Sequence, residues 1–180
     1  EFVTFYHVAQ ERIKQVSPDT QVFPVFQFER LAGHKGGLFN PTDNDGKSEW
    51  EILNRFPSAD LYAFTTYPGL IYQDPADIPA DYYQAVSTYT DKPIAFTEIG
   101  WHHDAVAPGW ESDDVEEARF IDKFFALTDP LAPTLRLWSF MYDPGEELAG
   151  KIFGSMGLLA KGQETSQSWE MWTEKAALQQ

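Results

Sequence analysis

The sequence contains no cysteine, which excludes a disulfide framework, a thiolate nucleophile and any cysteine-ligated metal. It is also poor in positive charge: 13 Lys and Arg against 28 Asp and Glu give a formal net charge of −15. Phosphate backbones are bound through clustered Lys and Arg, which this chain does not offer, so nucleic acid is not expected as a partner. No apolar run reaches the ~20 residues that a membrane-spanning helix needs, so a membrane partner is not expected either. The acidic balance reads as a solvated surface that resists association. A soluble chain of this kind is compatible with a secreted or periplasmic location.

What is present is ordinary in size and rich in rings. The 180 residues suffice for one domain with its own core. Aromatic residues make up 16% of the chain, about twice the usual share. Rings fill cores, and they also build sugar-binding clefts. The chain opens at Glu1, without a charged-then-apolar signal segment, directly inside an amphipathic pattern, so further chain is expected upstream.

Phe2, Phe5, Ala9, Ile13 and Val16 follow helical spacing that stops at Ser17-Pro18-Asp19. Residues 21–28 (QVFPVFQF) then form a β-favouring run, followed by a polar loop over about 33–47. A short helix is predicted over 48–56 and a strand over 60–66 (DLYAFTT), closed by the Tyr67-Pro68-Gly69 turn. The order repeats with a helix over 79–90 and a strand over 92–99 (KPIAFTEI). Asp113 and Glu116 form a capping box ahead of Val115, Ala118, Ile121, Phe124 and Phe125 on one helical face. A fourth strand is predicted over 134–140 (TLRLWSF), and a last helix over 168–178.

Strand–helix alternation implies parallel strands, either in an open doubly wound sheet or in part of a barrel. A dinucleotide-binding sheet would carry a Gly-rich turn, and no G-x-G-x-x-G follows any strand here. Polar and aromatic side chains follow the strands instead: Gln27 and Glu29, Tyr67, Glu98 and Trp101, Trp138 and Tyr142. Function gathered at the C-terminal ends of successive strands favours a barrel.

Regular alternation would place Ile94, Phe96 and Glu98 on one face of their strand, with Ala95 and Thr97 on the other. Glu98 is therefore expected to point with the barrel filling, where a carboxylate has little water and is costly to bury. Gln27 and Glu29 share a face and could hydrogen-bond sugar hydroxyls. His102 and His103 are adjacent, so they rarely point the same way. They read as loop residues rimming a cleft, and no metal is expected. No cofactor is expected.

Thr97-Glu98-Ile99-Gly100-Trp101 resembles the [TS]-E-x-G-[WF] segment that ends the seventh strand in clan A glycoside hydrolases, the group of endo-β-galactanases, cellulases and β-mannanases. Thr66-Tyr67-Pro68 and Leu137-Trp138-Ser139-Phe140 match the ends of strands six and eight in order and spacing, and Gly157-Leu158-Leu159 with the Trp169/Trp172 helix resembles the closing segment. The resemblance covers nearly the whole chain. It implies a partial (β/α)8 (TIM) barrel of α/β class, strands five to eight, in a single domain over 1–180.

It further implies a carbohydrate substrate, Glu98 as the nucleophile of a retaining mechanism and Tyr67 as the residue that orients it. Trp138 would be the platform under the sugar. Trp101 and Trp110 would be outer-subsite platforms or simply loop packing, with His102 at the cleft rim and Tyr142 beyond the fourth strand as further substrate contacts. The clan's acid/base is a Glu, usually preceded by Asn, ending strand four. No Asn-Glu dipeptide occurs here, and that strand would lie upstream of Glu1. Retention needs two carboxyl groups about 5–5.5 Å apart. This chain supplies one, so alone it should not hydrolyse glycosides efficiently.

Two other classes compete with the glycosidase reading. One is a carbohydrate-binding or scaffold barrel without catalysis, which an upstream region lacking the acid/base would favour. The other is an aldolase or lyase barrel with a Schiff-base lysine, but Lys92 precedes its strand rather than ending it. Half a barrel would also leave strand edges and an apolar flank bare, so self-association through the open edges is expected.

Overall fold

The computed structural model describes residues 1–38 and 46–178. The middle of the polar loop predicted over 33–47 lies outside the described residues. The chain runs α1 (Phe2–Val16), β1 (Val25–Gln27), α2 (Phe28–Ala32), β2 (Tyr62–Thr66), α3 (Val86–Tyr89), β3 (Ile94–Ile99), α4 (Asp114–Thr128), β4 (Leu135–Trp138), β5 (Phe140–Tyr142), α5 (Glu146–Phe153), β6 (Gly157–Leu159) and α6 (Gln167–Ala177). Residues Trp50–Arg55 form a 3-10 helix within the short helix predicted over 48–56.

The predicted strands are present but shorter than their patterns. Pro24 has no N–H to give, so the ladder proper begins at Val25, although the carbonyls of Val22 and Pro24 still accept from Asp60 and Ala63. At the other end Phe28 turns into α2. The helix predicted over 79–90 shrinks to the single turn of α3. Tyr82 and Tyr83 are both buried against Phe28, and neighbouring residues of an α-helix do not face the same way.

β1 to β4 form one sheet in the order β1-β2-β3-β4, every pair parallel. Consecutive neighbours with no reversal of order make an arc, unlike a doubly wound sheet, whose order turns back on itself. One face of the arc is covered by helices. Tyr62, Phe64, Ile94, Phe96 and Ile99 lie there in a continuous core with Phe28, Tyr83, Phe120, Ile121 and Phe124. The other face, the inner face, carries small residues: Ala63 and Ala95 pack there with Leu61 and Phe23.

α4 is capped as its sequence indicates, with the Asp113 carboxylate accepting the Glu116 N–H at 2.8 Å. Its first turn also holds the next helix, because Asp114 accepts the N–H groups of Gln167 and Ser168, at the start of α6. The long loop predicted after the fourth strand contains a small parallel ladder, β5 with β6, and α5, kinked at Gly150 with φ +70. No helix among the described residues is long and apolar enough to cross a membrane.

Candidate active site

Glu98 does not share a face with Phe96. Phe96 pairs with Phe64, but the next residue of β2, Thr65, pairs with Glu98, so Thr97 is an extra residue. The same offset appears against β4, where Phe96 pairs with Arg136 and Ile99 with Trp138. This bulge resets the alternation. Phe96 and Ile99 both face the helices, while Glu98 lies with Thr65 on the inner face. The expectation that Glu98 shares a face with Ile94 and Phe96 is thereby corrected: the extra residue turns it to the opposite face. Glu98 is also exposed rather than buried.

A row of side chains crosses the inner face at this level. Gln27 pairs with Thr65 and Thr65 with Glu98, which sets an amide, a hydroxyl and a carboxylate side by side on three adjacent strands. Gln27 is exposed. All three stand at the C-terminal ends of their strands.

Tyr67 reaches this row from just beyond β2. Its hydroxyl donates to Glu98 Oε2 at 2.9 Å, and Ser139 Oγ lies 2.8 Å from the same hydroxyl. Ser139 Oγ is also 3.0 Å from the Ile99 carbonyl. Burial and the neighbouring Glu98 carboxylate raise the Tyr67 phenol well above its ordinary range, so it stays a neutral donor at any physiological pH. The ring lies across Gly100, where an added Cβ would sit 2.8 Å from Tyr67 Cε1 and 3.2 Å from Met156 Sδ. Glycine at that position lets the ring reach Glu98.

Several expected ligand contacts are instead part of the packing. Trp138 pairs with Ile99 and therefore faces the helices. Its ring meets Phe120 and Trp172, and Nε1 donates to the Met156 carbonyl at 2.8 Å. Trp101 is 0% exposed, stacked on Phe120, with Nε1 shared between Ser112 and Glu116. Trp110 is buried as well. His102 is buried parallel to Trp101 rather than at a rim, and burial lowers its pKa to about 4. His103 turns elsewhere, with Nε2 3.0 Å from Asp143 Oδ1. Glu29 is not at a strand end: it lies in α2, 1% exposed, its carboxyl under the end of β2. Of the expected substrate contacts, Gln27 and Tyr142 remain exposed.

Thr65, Gly100 and Ser139 belong to the site without having been singled out. Gly100 and Ser139 stand inside the Thr-Glu-Ile-Gly-Trp and Leu-Trp-Ser-Phe strings, so a signal for them was present. Thr65 emerges only from the register.

No protein-family model and no curated protein matches the sequence. Solved structures do match. A glycoside hydrolase family 17 β-1,3-glucanosyltransferase from Rhizomucor miehei aligns over 93% of this chain and 57% of its own, with a TM-score of 0.60 at 13% identity. The exo-β-1,4-mannosidase Op5Man5 from Opitutaceae bacterium strain TAV5 aligns over 93% of this chain and 30% of its own, with a TM-score of 0.58 at 14% identity. An endo-1,4-β-mannanase from Rhizomucor miehei aligns over 99% and 45%, with a TM-score of 0.56 at 14% identity. The fold is part of a (β/α)8 barrel. The chain spans between about a third and somewhat over half of these structures, and its inner face corresponds to the barrel interior.

Proposed function

We propose that this chain is the nucleophile-bearing part of a retaining glycoside hydrolase of clan A type, acting on β-linked oligo- or polysaccharides. The observation that carries the reading is the Tyr67–Glu98 contact of 2.9 Å at the C-terminal end of β3, on the face that also presents Gln27 and Thr65. In (β/α)8 enzymes the chemistry sits at that end of the strands. The solved structures of the same fold whose names state an activity on glycosides support the substrate class.

The geometry suits a covalent displacement. Tyr67 holds Glu98 Oε2 by donating to it, which leaves Oε1 free to attack the anomeric carbon. The bond from that carbon to the leaving oxygen breaks as a carboxyl group outside this chain protonates the oxygen. Water then attacks the glycosyl ester, that second group takes its proton, and Glu98 is released as carboxylate. The amide of Gln27 and the hydroxyl of Thr65 can pair with sugar hydroxyls, and the exposed ring of Tyr142 can meet a sugar's C–H face.

The test is made on the complete barrel that contains this chain, with an activated aryl β-glycoside. Glu98→Ala is expected to abolish turnover, and azide, entering the vacated space, is expected to restore it with inverted configuration. Normal turnover by Glu98→Ala would refute the assignment. A complete barrel that binds oligosaccharides and turns over none would favour the non-catalytic binding barrel.

A further inference from the structure

Glu29 has no part in the displacement described above, yet it is a carboxyl group kept at 1% exposure directly behind the site. Three donors converge on one of its oxygens. Oε1 accepts from Thr66 Oγ1 at 2.7 Å, from the Tyr67 N–H at 3.0 Å and from the Tyr82 hydroxyl at 3.4 Å. Thr66 Oγ1 is also 2.9 Å from the Tyr83 hydroxyl. Two of the donors belong to consecutive residues, the last of β2 and the first beyond it.

The backbone explains why this matters. Tyr67 has left the strand conformation, at φ −138 and ψ 67, so its N–H is no longer spent on the β3 ladder. A buried N–H must find an acceptor, and Glu29 is the acceptor. From that anchored backbone the Tyr67 ring crosses Gly100 to reach Glu98. An apolar side chain would fill the space of Glu29 as well, but it would accept none of the three donors.

We infer that Glu29 is a positioning residue for the nucleophile: its carboxylate pins the Thr66–Tyr67 backbone, and Tyr67 carries that placement to Glu98. This rests on the nucleophile reading of Glu98. Among the described residues, the titratable groups facing Glu29 are Tyr82 and Tyr83 from the segment ahead of α3 and Tyr67 from the end of β2, with Glu98 of β3 beyond Tyr67 and His34, just past α2, stacked on Tyr82 at 4.3 Å. On its own helix, Arg30 is exposed. Burial raises Glu29 to about 7, so its strongly accepting ionised form grows across the neutral range.

The experiment uses the complete barrel and an aryl β-glycoside, comparing wild type, Glu29→Gln, Thr66→Val and Glu98→Ala between pH 5 and 8. Glu29→Gln is isosteric and cannot ionise. It is expected to lower kcat about tenfold at pH 8, in line with the loss of a supporting partner to a site residue, with KM unchanged. At pH 5, where Glu29 is itself protonated, the deficit should vanish. Thr66→Val removes one donor to the same oxygen and is expected to lower kcat by less, again at constant KM. A Glu29→Gln deficit that is absent, or equal at all pH values, overturns the assignment while an inactive Glu98→Ala leaves the nucleophile standing. If Glu29→Gln does not fold, an unchanged kcat in Thr66→Val overturns it. Activity in Glu98→Ala removes both readings together.

Discussion

Replacing Gly100 by alanine tests how tightly the site is built. The new Cβ would lie 2.8 Å from Tyr67 Cε1, 3.0 Å from Cδ1 and 3.2 Å from Met156 Sδ, inside ordinary van der Waals contact on two sides. Tyr67 cannot step away freely. Its N–H is held by Glu29, its hydroxyl by Glu98 and Ser139, and its ring stands edge-on to Phe153 at 5.2 Å. Overpacking of this kind costs about 1–3 kcal/mol. At about 2–4 °C per kcal/mol for a chain of this size, the melting temperature should fall by about 2–12 °C.

Calorimetry on the chain reads the first effect, and kcat in the complete barrel reads the displacement of the hydroxyl from Glu98. The Tyr67→Ala background supplies the control, since without the ring the added methyl has room and should cost little. A melting temperature within about 1 °C of wild type, with unchanged kcat, would refute the argument that glycine is required for the ring to pass.

Two further outcomes are expected. Burial lowers the pKa of His102 from 6.5 to about 4. The unfolded chain therefore takes up a proton that the folded chain refuses between those values. The contribution is fully present above pH 6.5 and is lost as pH falls towards 4. It is worth about 3 kcal/mol. Urea unfolding should show this acid limb in wild type and lack it in His102→Gln; an unchanged limb would exclude His102 as its source. Leu135 and Leu137 are 40% and 45% exposed on β4, an edge strand of the sheet, and Val25 is exposed on β1 at the other edge. The isolated chain is expected to self-associate through these edges, and a Leu135→Lys/Leu137→Lys double variant to be monomeric by light scattering; equal mass for both would place any association elsewhere.

Local rules made much of the fold legible. α4 could be read from Asp113 and from the spacing of Ala118, Ile121, Phe124 and Phe125, because capping and amphipathicity are local properties. The four strands could be found from their β-favouring runs, and their parallel arrangement from the intervening helices. β5 and β6 could not, since each is three residues long and exists only through pairing across the loop between them. Within the site, Glu98 and Tyr67 stood out as polar groups ending apolar strands. The direction of Trp138 did not, because it depends on the register with β3, set by the bulge at Thr97. Glu29 was misplaced for a similar reason. The pattern runs on past Gln27, but the chain turns there into α2 and carries the carboxyl group behind the sheet.

Thr97 also divides β3 into two reading frames. On both sides of it every second residue belongs to the helix layer, but the frames are out of phase, so two apolar residues of that layer can flank one carboxylate that does not enter it. The consequence concerns length rather than side-chain identity. Deleting Thr97 would leave Glu98 chemically unchanged and swing it towards Phe124 and Tyr83, sending Ile99 out in its place. At this point of the chain the catalytic candidate is specified by a count of backbone units, and a substitution scan that keeps the count constant would pass over that dependence.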